Sequence, residues 1–166
     1  IGAWIYIDDY EKWAGIFTKG QDTGQYVIQL DKNNGNKLQF TSNYKDGEYV
    51  ISDTVLNTGQ WYHVFATFSD GDVALYIDGE LDKSTTVNWT IQSSNEISAI
   101  GVDFPGADEY FNGKIDEVGI WERALTSDEV ETLYNDGDGL NPDIIPEIYI
   151  TLLSPENNII TNQKKQ

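Results

Sequence analysis

The sequence predicts an all-β fold, a sandwich or barrel of antiparallel strands with one short helix near residues 127–135. Three observations carry that prediction. Side chains alternate over short segments, most cleanly where Tyr62, Val64, Ala66 and Phe68 face one way and Trp61, His63, Phe65 and Thr67 the other. Hairpin-type turn signals, Asn33-Asn-Gly-Asn36, Asp70-Gly71 and Asp78-Gly79, punctuate these segments. One segment alone carries both start and stop chemistry for a helix.

Taken in order, Gly2 to Ile7 reads as a strand with Trp4 and Tyr6 on one face and Ile5 and Ile7 on the other. Asp8 to Trp13 is a polar, aromatic loop, and Ala14 to Lys19 is strand-like. Gln25 to Asp31 alternates, with Tyr26, Ile28 and Leu30 aligned, and Lys37 to Thr41 returns with Leu38 and Phe40. Glu48 to Ile51 is a further short strand after the Asp46-Gly47 turn. Trp61 to Phe68, Asp72 to Asp78 and Glu80 to Asn88 form successive hairpins, and Glu96 to Val102 precedes an acidic loop, residues 103–109. The next strand holds Asp116 on the parity of Val118 and Ile120, which predicts that this carboxylate ends a core-facing row. A carboxylate so placed is hydrogen-bonded or bound to a cation. The helix begins with Thr126 as N-cap and Glu129 three positions on, a capping box, with Leu125 and Val130 as a hydrophobic staple. Asn135-Asp-Gly137 ends it.

Composition narrows the function. Ten Lys and Arg against 28 Asp and Glu give a net charge of −18, which excludes nucleic acid and anionic membranes as natural partners. Cations, neutral sugars and basic proteins remain. With no Cys there are no disulfides, thiol nucleophiles or thiolate metal sites, and a single histidine cannot build a zinc cluster. No run is long and apolar enough to span a membrane. The length fits one compact domain with a short extra piece. The chain opens at Ile1 within a strand and has no Met, which reads as an excised piece of a longer protein.

Trp61-Tyr-His-Val-Phe-Ala66, Ala74-Leu-Tyr-Ile-Asp-Gly79 and Gly113-Lys-Ile-Asp-Glu-Val-Gly-Ile-Trp-Glu-Arg-Ala-Leu125 stand in one order, followed by a short helix. As a set they resemble the laminin-G-like domains, including the pentraxin type, of the concanavalin A-like lectin/glucanase superfamily, over about residues 1–137. The resemblance implies a two-sheet antiparallel jelly roll. It also implies an extracellular or cell-surface setting and a carbohydrate or protein ligand, often with a calcium ion. One departure is that such domains begin with a further strand bearing a Phe-Asp-Gly-type motif, which this chain lacks. That leaves half of the usual calcium site absent and exposes a sheet edge. Residues 148–153, from this chain or a neighbouring copy, are a candidate to fill it. The organisation expected is a jelly roll over 1–139, a linker over 140–147, and a tail over 148–166 that starts a following β domain or donates a strand.

Candidate site residues follow. Asp116 is a calcium ligand or a loop cap, with Asp103 and Asp108 as further metal ligands, since calcium takes six to eight oxygens. Trp13, Trp89, Phe104 and Tyr110 lie in or near loops, where aromatic faces stack on sugars or pack beneath the loop. A retaining glycosidase of this superfamily needs a carboxylate pair on one strand. Lys114 and Gly119 stand where those acids belong, so no catalytic residue is expected. His63 has no nucleophile partner and reads as structural. Residues 135–141 lack the EF-hand spacing, and Asn88-Trp-Thr90 is a glycosylation sequon. The expectation is a non-catalytic module that binds glycan, with a structural calcium ion. The alternative is an adhesive building block that contacts another surface protein or its own copies. A glycoside hydrolase is the third and weakest reading.

Overall fold

The computed structural model describes residues 1–20, 26–42, 49–92, 95–103, 109–140, 151–153 and 159–161. Its strands are β1 (Gly2–Ile7), β2 (Ala14–Lys19), β3 (Tyr26–Asp31), β4 (Lys37–Thr41), β5 (Val50–Val55), β6 (Trp61–Ser69), β7 (Asp72–Ile77), β8 (Glu80–Thr86), β9 (Ser98–Ile100) and β10 (Gly113–Gly119). They form two five-stranded antiparallel sheets, β10-β1-β6-β7-β8 and β5-β4-β3-β2-β9. The two sheets make the sandwich of a jelly-roll lectin fold, as expected.

The alternation read from the sequence sets the core. Ala3, Ile5 and Ile7 of β1 and Tyr62, Val64 and Ala66 of β6 point inward from the first sheet. Ile28, Leu30, Leu38 and Phe40 meet them from the second. Leu38, Leu75, Ile5 and Val64 have no exposed surface, and burying such side chains stabilises the fold by about 1.5–3 kcal/mol each.

The outer face of the first sheet has its own small core. Helix α1 (Ser127–Tyr134) lays Val130 and Leu133 with Leu125 and Trp121 over Phe65 and Tyr76. The predicted capping box is present. Thr126 Oγ1 accepts from the Glu129 N–H, and the Glu129 carboxylate accepts from the Thr126 N–H. Leu125 and Val130, the staple pair, are both buried.

Two departures from simple alternation matter. On β10, Trp4 pairs with Asp116 but Gly2 pairs with Gly119, so Glu117 and Val118 together oppose Ala3. Glu117 sits at φ 48. This bulge resets the parity. Ile115, Val118 and Ile120 pack against the core, while Asp116 is exposed on the outer face. Asp116 therefore does not share a face with Val118 and Ile120, contrary to the sequence expectation. On β2, a bulge between Gly15 and Phe17 lets Ile16 and Phe17 both join the core.

The described part of the tail pairs with itself. Strand β11 (Thr151–Leu153) pairs with β12 (Ile159–Thr161) in a separate two-stranded sheet. Among the described residues it fills no gap in the sandwich. Most of the linker expected at 140–147 lies outside the described residues.

Candidate functional site

The second sheet has an unusual outer face. Its core side carries Ile28, Leu30, Leu38 and Phe40, so pairing places Gln29 beside Gln39 and Val27 beside Thr41 on the other side. Thr18 lies opposite Val27 on the same side. Thr18, Gln29, Asp31, Gln39 and Thr41 are all buried, although none belongs to the apolar core. Gln29 Nε2 donates to Gln39 Oε1 at 3.2 Å, which leaves the Gln39 amide nitrogen buried and without a partner. Such a donor costs about 1–3 kcal/mol unless something supplies an acceptor. The backbone of residues 101–103 crosses this face at β2. Thr18 Oγ1 donates to the Val102 carbonyl at 3.0 Å, and a Cβ on Gly15 would come within 2.2 Å of that carbonyl oxygen. Only glycine permits that crossing.

Several expected site residues gather at this end of the sheet. Trp13 immediately precedes β2, is half-buried, and holds φ 52, a left-handed conformation that a bulky residue adopts only when the surroundings impose it. The Lys12 ammonium lies 3.3 Å over its ring. Asp103 is buried and its N–H donates to the Glu109 carbonyl. Tyr110 bridges to Val102 and is 60% exposed. Burial pushes the Tyr49 hydroxyl pKa up, and the nearby Asp103 and Asp31 carboxylates push it further. Asp31 itself caps the turn at Lys32–Asn34, accepting from the Asn33 N–H and the Asn34 amide.

Other expected residues lie elsewhere. Trp89 is a core residue, 7% exposed, stacked on Phe68 at 5.4 Å and tilted against Phe40 at 6.0 Å. Its loop position in the sequence does not make it a binding face. Phe104 and Asp108 lie outside the described residues. Asp116 is on the outer face of the first sheet and accepts the Glu117 N–H at 2.8 Å, so it caps its own bulge. Asp103 follows β9 of the second sheet, and sandwich layers are about 10 Å apart. Asp116 thus lies on a strand of the first sheet and Asp103 just after a strand of the second. Among the described residues no group of three or more acids or histidines is placed to hold a metal.

The sequence reading passed over the outer face around Asp116. There Trp4, Trp61, Asp116, Glu117, Asp138 and the backbone of Gly137 and Gly139 line a pocket of about 220 Å³. Burial, and then the Asp116 charge, push the Glu117 carboxyl pKa up. The signal was present in part. Trp4 and Tyr6 alternate against the core residues of β1, but only the fold brings residues 137–139 beside them.

A laminin-G-type family model, described as concanavalin A-like lectin/glucanases superfamily, matches residues 1–131. The chain belongs to this family. Among family relatives, the mouse pentraxin-related protein PTX3 is 28% identical over 139 residues, 76% of this chain and 36% of PTX3. The chain thus spans about a third of that relative's length. A heptameric SAP-like pentraxin from Limulus polyphemus superposes with TM-score 0.67 at 22% identity, covering 85% of this chain and 70% of that one. Domain 4 of AbnA, a GH43 extracellular arabinanase from Geobacillus stearothermophilus solved in complex with arabinotriose, gives TM-score 0.61 at 26% identity. That match covers 79% of this chain and 63% of that one.

Neither Lys114 nor Gly119 of β10, the two positions singled out in the sequence, is an acid. The Lys114 ammonium lies over the Tyr6 ring at 4.5 Å. A Cβ on Gly119 would come within 2.3 Å of Trp121.

Proposed function

We propose that this chain is a non-catalytic carbohydrate-binding module of an extracellular or surface-displayed protein, with its glycan site on the polar face of the second sheet. One observation carries the reading. That face is buried yet polar, and it ends in a Gln39 amide nitrogen with no partner. A sugar hydroxyl is an acceptor of the right kind for this nitrogen once the covered face is opened, and Trp13, just before β2, and the exposed Tyr110, bridged to Val102, are aromatic residues at the same sheet. The family membership and the arabinotriose complex of AbnA domain 4 support the ligand class. Calcium stays in this proposal as a structural ion at the buried Asp103, without Asp116.

A glycan array that includes arabino-oligosaccharides tests the reading. The expected result is binding that Trp13→Ala and Gln39→Leu each weaken. A silent array, or binding indifferent to both changes, overturns it. Calorimetry with calcium and chelator tests the ion, and Asp103→Asn should abolish any heat.

The alternative is an adhesive block that contacts another protein or its own copies. Val55 on edge strand β5 and Leu81 on edge strand β8, 44% and 54% exposed, favour it. It predicts concentration-dependent assembly in sedimentation, with no glycan bound.

A further inference from the structure

The outer face of the first sheet divides in two. Helix α1 and its approach cover the row of Phe65 and Tyr76. Beyond it lie two rows of short side chains. Thr67, Ala74 and Ser84 pair across β6, β7 and β8, and so do Ser69, Asp72 and Thr86. All six line one groove of about 390 Å³, with Ala124 of the helix approach also in its lining. At ordinary sheet spacings, two rows on three strands make a floor of about 10 Å by 7 Å. The volume falls within the roughly 300–1,000 Å³ of small-molecule sites.

One group in the groove is unlike the rest. Ser69, Ser84 and Thr86 are exposed, and water reaches them freely. Thr67 is only 8% exposed, and its hydroxyl has no hydrogen-bond partner among the described residues. A hydroxyl so enclosed is stable only when something in the groove bonds to it.

Charge and shape select the occupant. Asp72 is the one charged residue of the lining, and it already accepts from Thr86 Oγ1 at 2.8 Å. A single exposed ion pair adds little affinity, so a cation gains little here. Among the described residues no Lys or Arg lines the groove, so an anion meets Asp72 without a counter-charge. No aromatic ring lines it either, and an apolar ligand would leave the Thr67 hydroxyl unpaired. A neutral polyhydroxyl ring answers every group. Its O–H groups donate to Asp72, and its oxygens accept from Thr67 and Ser84.

We propose that this groove binds one neutral sugar ring through hydrogen bonds to Thr67, Asp72 and Ser84. With no ring to stack on, the affinity for a single sugar lies in the millimolar range. The groove is on the first sheet and Gln39 on the second, so the site stands whether or not the Gln39 face binds glycan.

Nuclear magnetic resonance of the nitrogen-15-labelled chain tests this with the methyl glycosides of D-glucose, D-galactose and D-mannose. Glycerol serves as a polyol without the ring. The expected result is that at least one glycoside moves the Thr67, Ala74 and Ser84 backbone amides saturably, and that glycerol at the same concentration does not. The Gln39 side-chain amide reports the other face separately, so failure of one site is read apart from failure of the other. Thr67→Val keeps the shape, removes the hydroxyl and should weaken the glycoside about three- to tenfold. Ser84→Phe fills the groove from an exposed position and should abolish the shifts with the fold intact. No saturable shift at these amides with any of the three glycosides, equal shifts with glycerol, or binding indifferent to either substitution overturns the proposal.

Discussion

Acidification from pH 7 to pH 5 should weaken the fold through His63. This is the chain's single histidine. It is 4% exposed, packed against Trp4 at 5.4 Å, Phe65 at 5.8 Å and Tyr134 at 6.1 Å, and its Nδ1 is buried without a partner. Burial lowers its pKa from 6.5 to about 4. The sign follows from which state takes the proton first. Above pH 6.5 the ring is neutral folded and unfolded, and it contributes no pH dependence. Between 6.5 and about 4 the unfolded chain is protonated and the folded chain is not, so stability falls with pH. Below about 4 both states carry the proton and the loss saturates. At about 1.4 kcal/mol per pH unit the full loss is roughly 3 kcal/mol, of which about 2 kcal/mol is gone by pH 5. Urea unfolding of the wild type and of His63→Phe at both pH values isolates the effect, because carboxylates common to both cancel. The wild type should lose about 2 kcal/mol more than the variant between pH 7 and pH 5. Equal losses would refute the reasoning, as would a ring proton that titrates near 6.5.

Thr126→Ala should destabilise by about 1 kcal/mol in urea unfolding, because it removes the acceptor for the Glu129 N–H. Glu129, held at about pKa 2 first by Arg123 and then by Thr126, stabilises the folded state at and above pH 4.5. That contribution should fade as pH falls from 4.5 toward 2, and Glu129→Gln should flatten that part of the stability profile. Trp89→Ala should cost about 3–5 kcal/mol by the same assay, as expected for a buried aromatic. A loss under about 1 kcal/mol would contradict its place in the core.

What was legible in the sequence was local. Trp61 to Phe68 and Val73 to Ile77 keep strict alternation, so their core faces could be assigned residue by residue. The helix cap involves residues three apart, and both halves of the box formed as expected. The parity of Asp116 was not legible. An inserted residue leaves composition untouched but turns every following side chain over, and the bulge at Glu117 becomes visible only through its pairing with β1. Trp89 fails as a site for a related reason: Phe40 and Phe68, which bury it, are distant in sequence. Gln29 and Gln39 each stand between apolar neighbours, a sign of a face turned from the core. Their adjacency, and the unpartnered nitrogen it leaves, exist only once β3 pairs with β4. Trp13 could be suspected as an aromatic in a loop, but its left-handed backbone could not.

The most direct test of the glycan face is to titrate a neutral oligosaccharide selected on the array into the nitrogen-15-labelled chain and follow the Gln29 and Gln39 side-chain amides with the Trp13 indole. The account predicts that all three move with one affinity, and that Gln39→Leu lowers that affinity while the fold stays intact. Saturable binding that leaves the Gln39 amide and the Trp13 indole unmoved would contradict it.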